Sequence, residues 1–262
     1  MRALAVHEDV IVVVSSIWQT TCTAVRSGDE GFLIDSPLLP AELEALPALL
    51  EQSHFPVSGL LATHGDWDHL LSRLAFPEHS LGVSESTATR LDDELGEPQR
   101  RLREFDNEFY VEGRRPLALT GLQGLPVPGR ISIGSDTVNE LELLPADGHT
   151  GDGVCFWLPW ASVLVCGDYL SPVELPMISA EHGGSVGAYR ETLFRLSPLV
   201  NRAQTVVPGH GAPLTAERAL ELLAEDLAYL EQLAGGGEVT LPSGRRSGAQ
   251  REIHERNLAA VR

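Results

Sequence analysis

Four short segments of the chain concentrate the residues that could do chemistry. In His64-Gly65-Asp66-Trp67-Asp68-His69, four candidate metal ligands fall within six positions. The other three are Asp147-Gly148-His149, Cys166-Gly167-Asp168 and Pro208-Gly209-His210. Imidazole and carboxylate together suit zinc, iron or manganese. Collected, His64, Asp66, Asp68, His69, His149, Asp168 and His210 make seven donors. That is too many for one tetrahedral ion. It is about right for two ions sharing a bridging carboxylate and a bridging hydroxide.

The elements that must position these residues share one grammar. Each segment follows an apolar, strand-like run: Leu60–Ala62, Leu143–Leu144, Leu164–Cys166 and Val206–Val207. Loops at strand ends are where layered α/β folds place chemistry. Earlier β-branched runs occupy Val10–Val14 and Thr21–Arg26, and Phe32–Ile34 ends at Asp35. Helical periodicity covers Pro40–Gln52, where Pro47 predicts a kink or break, then Ser86–Glu97 and Glu217–Ala234. Val154–Leu158 and Ser162–Cys166 read as a hairpin, 120–134 as loop plus one strand, 238–248 as a polar link, and Gln250–Val261 as a closing helix. Strands interspersed with helices, without repeats, indicate one α/β layered domain over 1–262.

In order, Thr63-His64-Gly65-Asp66-Trp67-Asp68-His69, Gly148-His149-Thr150, Gly167-Asp168 and Gly209-His210-Gly211 resemble the signature of the metallo-β-lactamase-fold superfamily. That signature runs T-H-x-H-x-D-H, then G-H-T, G-D and G-H. The resemblance implies an αββα four-layer sandwich and a dinuclear metallohydrolase. By position, one ion would take His64, Asp66 and His149, the other would take Asp68, His69 and His210, and Asp168 would bridge them. Asp35 would support the ligand loop by hydrogen bonding. Asp68 would orient the hydroxide and pass a proton to the leaving group. Asp66 departs from the family, which usually has His there; a flavodiiron subset has Glu. Three carboxylates and a hydroxide balance two divalent ions, where the usual set leaves one positive charge. The resemblance therefore predicts zinc with iron or manganese competing.

The expected substrate is a small ester, thioester or lactone-like compound. An iron-dependent redox enzyme and a phosphodiesterase are the alternatives, and a non-catalytic binding protein would be expected to lack some of the ligands. Tyr169, His182 and Trp67 are candidate substrate contacts, and 86–116 is a candidate lid or insertion. Gly183-Gly184-Ser185-Val186-Gly187 fits a nucleophile elbow, but no strand-like run precedes it, so Ser185 reads as a helix N-cap.

Composition narrows the field. The chain has 262 residues and a formal charge of −18, and all 19 basic residues are arginine. A lysine Schiff base or phosphate-loop lysine is therefore excluded. The charge weighs against nucleic-acid and membrane partners. Cys22, Cys155 and Cys166 read as buried thiols, and with no signal-like N-terminus a cytoplasmic location is expected. The leucines of Glu217–Ala234 serve the core or a homodimer.

Overall fold

The computed structural model describes residues 1–135, 138–236 and 239–261. Residues 238 and 262, at the ends of the C-terminal tail read from the sequence, lie outside these. Among the described residues, twelve strands form two sheets. The first has seven strands, in chain order: β1 Arg2–His7, β2 Val10–Val14, β3 Thr21–Ser27, β4 Glu30–Asp35, β5 Gly59–Leu61, β6 Leu81–Ser84 and β7 Gln123–Leu125. Strands β1 to β4 pair antiparallel, and β4 to β7 pair parallel. The second has five: β8 Gly129–Ile133, β9 Asn139–Pro145, β10 Val154–Leu158, β11 Val163–Val165 and β12 Thr205–Val207, ordered β12-β11-β10-β9-β8. Only β11 and β12 pair parallel in it.

The central strands β2, β5, β10 and β11 are buried on both faces, which is why they read as continuous apolar runs. In β2 the period of two separates the layers. Val10, Val12 and Val14 point between the sheets, against Leu143, Phe156 and Val165. Ile11 and Val13 point outward, into a core with Leu46 and Leu50 of helix α1 (Pro40–Gln52) and Leu91 of α3 (Glu85–Asp93). The outer face of the second sheet packs on α5 (Val186–Arg202), α6 (Ala216–Gly235) and α7 (Gly248–Ala260) through Leu193, Leu222 and Ile253. The result is an αββα sandwich. Helices α2 (Ser72–Ala75) and α4 (Glu97–Glu108) are the others among the described residues.

Two local expectations change. Helix α1 runs on through Pro47, because Leu43, Leu46 and Leu50 bury one face and outweigh the missing donor. The stretch 120–134 holds two strands, β7 and β8. Strand β1 was not legible: it is a mostly exposed edge whose residues carry no strong pattern. The three cysteines are free and buried, and burial raises their thiols. Ser185 caps α5, its hydroxyl accepting from Ala188 N–H.

Candidate metal centre

One end of the sandwich gathers the strand-end loops. The loop after β5 supplies His64 to His69, that after β9 His149, that after β11 Asp168 and that after β12 His210. All seven expected donors meet there. Their ligand atoms form three overlapping groups, each within 4.8 Å: His64 with Asp66 and His149, His64 with His69 and Asp168, and Asp68 with His69 and His210.

Asp168 divides its oxygens between the two halves. Its Oδ2 lies 3.8 Å from His64 Nε2 and 3.4 Å from His149 Nε2. Its Oδ1 lies 3.3 Å from His69 Nε2 and 3.5 Å from His210 Nε2. Gly209 makes this approach possible, since a Cβ there would sit 2.2 Å from Asp168 Oδ1. Asp68 Oδ2 reaches His69 Nε2 at 3.5 Å and His210 Nε2 at 3.3 Å.

Each histidine has a partner close to its Nδ1. His149 donates to the Met177 carbonyl at 2.9 Å, and His210 donates to the Trp18 carbonyl at 3.2 Å. His64 meets the Thr63 hydroxyl at 3.0 Å, and His69 lies 3.0 Å from Asp35 Oδ2. With Nδ1 of His64, His149 and His210 so hydrogen-bonded, the neutral form of each of these rings turns the lone pair of Nε2 into the cluster. The Nε2 atoms of His64, His69 and His149 and Asp168 Oδ1 are buried and have no hydrogen-bond partner. Buried polar atoms are rarely left this way. A pair of cations fits the donor set, because it would satisfy these lone pairs at once.

Asp35 hydrogen-bonds Thr63, next to the first candidate ligand. It accepts from the Thr63 N–H at 2.8 Å and from the Thr63 hydroxyl, holding the start of the ligand loop. Its backbone sits at φ 62°, a left-handed value costly for a non-glycine residue, which these bonds over-determine.

The electrostatics follow from crowding. Burial alone would raise the Asp168 carboxyl, but His210, His69 and His64 hold it well below the usual range. For Asp66, burial is likewise overcome by His149, His64 and Arg90. Burial depresses His69, yet Asp68, Asp35 and Asp168 raise it well above an ordinary histidine. His149 ends at about 9, burial being outweighed by Asp66 and Asp168. His64 alone moves down, through burial and the proximity of His69. Without cations, these carboxylates favour the protonated form of His69 and His149, not of His64.

The three candidate substrate contacts lie differently. Tyr169 is 2% exposed and belongs to the core beneath the second sheet. Its hydroxyl donates to Ala146 O and accepts from His149 N–H, so it positions the His149 loop. Trp67 is buried against Trp18 and Phe105. His182 pairs with Glu94 at 3.0 Å beyond α3.

Several residues at the site escaped sequence reasoning. Arg90 on α3 binds Asp66, and Asp152 accepts from Gly65 N–H. Asp152 had a weak signal, three positions after His149; Arg90 had only its place as the lone base in an acidic helix. The loop 171–178, which supplies the Met177 carbonyl, is held by the C-terminal tail. Arg245 donates to Glu174 O, Gln250 accepts from Leu175 N–H, and Asn257 both accepts from Ile178 N–H and donates to Pro176 O.

An αββα sandwich with two sets of His and Asp donors sharing one carboxylate defines a class of metal-binding protein. Residues 16–210 match the family model of the metallo-beta-lactamase superfamily, and the chain belongs to that superfamily. It is 27% identical over 223 residues to a Mycobacterium leprae (strain TN) protein, "Uncharacterized protein ML0493", covering 78% of this chain and 92% of that one. Among solved structures it is similar to TTHA1623 in a di-iron-bound form, with a TM-score of 0.63 at 19% identity, covering 80% of this chain and 97% of that one. It is also similar to the stereoselective inverting sec-alkylsulfatase Pisa1 from Pseudomonas sp., with a TM-score of 0.72 at 14% identity, covering 99% of this chain and 49% of that chain. At these identities the structural likeness shows the fold.

Proposed function

We propose that the protein is a dinuclear metallohydrolase acting on a small ester, thioester or lactone-like substrate. The observation that carries this reading is the convergence of buried, unpartnered imidazole and carboxylate atoms on both sides of Asp168. His64, Asp66 and His149 would hold one divalent ion, Asp68, His69 and His210 the second, and Asp168 both. When bound, such a pair supplies a water acidified toward neutral pH and polarises the carbonyl oxygen under attack. Asp68, beside that position, would be the residue to accept a proton from the attacking water and pass it to the leaving group. Asp35, Thr63, Met177 and Trp18 keep the rings aimed.

The surroundings favour an acyl substrate over a phosphodiester. Arg90 donates to Asp66, Asp152 and Glu94, and Arg101 donates to Glu97 and Glu181, so neither guanidinium is left to meet a phosphate. Trp18, 41% exposed and tied to His210 through its carbonyl, offers apolar surface beside the cluster. The test joins metal content with a panel of thioesters, lactones, carboxylic esters and phosphodiesters. Acyl hydrolysis that is abolished by a chelator and restored by zinc is expected. A metal-loaded protein that cleaves only phosphodiesters, or none of the panel, overturns the substrate assignment.

Asp66 favours a second reading. A carboxylate oxygen in place of an imidazole suits a harder ion such as iron or manganese, and an iron-dependent redox enzyme would use the same donors. Coloured protein whose activity returns with iron and not with zinc would decide for it.

A further inference from the structure

Asp66 has two oxygens, and only one faces the donor cluster. Its Oδ2 lies 3.8 Å from His64 Nε2 and 3.4 Å from His149 Nε2. Its Oδ1 accepts from Arg90 Nη2 at 2.7 Å. The same guanidinium donates from Nη1 to Asp152 Oδ1 at 3.0 Å and from Nε to Glu94 Oε2 at 3.3 Å. Asp152 is itself braced: its Oδ2 accepts from Gly65 N–H at 3.0 Å, and its carbonyl accepts from the Ser84 and Thr87 hydroxyls. Gly65 leaves the room, since a Cβ there would stand 2.9 Å from Asp152 Oδ2 and 3.3 Å from Arg90 Nη1. The side chains of Arg90 and Asp152 are 11% and 4% exposed, so solvent screens this network little.

We propose that Arg90, braced by Asp152, is a positioning residue that makes Asp66 a one-oxygen metal ligand and so decides whether the half-site of His64, Asp66 and His149 fills. The inference rests on the metal-centre reading above. A carboxylate can chelate through both oxygens or bind through one. A guanidinium on Oδ1 removes the first option and fixes the direction of Oδ2, as charge-assisted bonds to arginine do. The Asp66–Arg90 pair then presents what a single imidazole nitrogen would, one donor atom aimed at one point. Arg90 touches no reacting atom; it acts through Asp66.

The test strips metal from the wild type, Arg90→Met, Arg90→Lys and the double variant Asp66→His/Arg90→Met, then titrates each with zinc against a chromophoric chelator. The wild type is expected to bind two ions. Arg90→Met should keep the ion of Asp68, His69 and His210 and bind the other about 10–100-fold more weakly, as loss of a ligand's supporting partner does. Arg90→Lys should fall between, and Asp66→His should restore the weak site, because imidazole needs no guanidinium to orient it. Two ions bound by Arg90→Met with wild-type affinity overturn the proposal. So does equal loss of both ions without rescue by Asp66→His, which marks a merely structural arginine. If Arg90→Met does not fold, Asp152→Asn should weaken the same ion, and unchanged affinity there overturns the proposal. A wild type that binds no ion overturns the metal-centre reading instead.

Discussion

Asp168 reaches both halves of the centre, whereas His149 and His210 each reach one. Metal stoichiometry should follow that division. Asp168→Ala is expected to lose both ions, His149→Ala the ion beside Asp66, and His210→Ala the ion beside Asp68. Elemental analysis of purified variants checks this, and full occupancy in both Asp168→Ala and His149→Ala would remove the ligand assignment. Gly209→Ala adds a methyl 2.2 Å from Asp168 Oδ1. Over-packing at such a point costs about 1–3 kcal/mol. Chemical denaturation should show that loss, together with weaker metal retention.

At the scale of elements, the site depends on pieces far away in the chain. The loop 171–178 orients His149 through the Met177 carbonyl, and α7 holds that loop through Gln250 and Asn257. Asn257 is fully buried and also donates to the Tyr229 hydroxyl. Its replacement by Ala leaves the Ile178 N–H and the Pro176 carbonyl unpaired, a cost of about 1–3 kcal/mol for each buried group left without a partner. A lower melting temperature and weaker zinc binding are expected together in Asn257→Ala. Lowered stability with untouched zinc affinity would show that the tail only stabilises the fold. Helix α4, within the candidate lid, packs Phe105 on Trp67 between two of the donors, so its position is joined to the ligand loop.

For the whole molecule, charge and metal are linked. The formal charge is −18, and two divalent ions would bring it to −14. Part of the acid excess is packed into one buried centre, where the metal-free protein must hold carboxylates together by protonating histidines. An ion that binds only the folded state stabilises it by RT ln(1 + [L]/Kd), about 2.7 kcal/mol at a hundredfold excess over Kd. Chelator should therefore lower the melting temperature, and zinc should restore it. A melting curve indifferent to both would count against a resident metal. No helix among the described residues is long and apolar enough to cross a membrane.

Much of the centre was legible in the chain itself. The donors fall at strand ends beside glycine, and strands buried on both faces announce themselves as runs such as Val10–Val14. Local chemistry of that kind is written in adjacent residues, so an α/β layered fold and the candidate donors could be read from the chain, and the resemblance carried by those motifs added the αββα sandwich. What supports the donors could not. Arg90 is 24 positions from Asp66, and Asn257 is 79 from Ile178. A hydrogen bond between remote segments leaves no periodicity in either. Tyr169 shows the same: its nearness to Asp168 in sequence gave no sign that its hydroxyl ties the His149 loop to Ala146. The sequence determined which atoms could bind metal. The tertiary structure alone decided which oxygen of Asp66 faces inward and which nitrogen of each ring is free, because both depend on partners that only folding brings near.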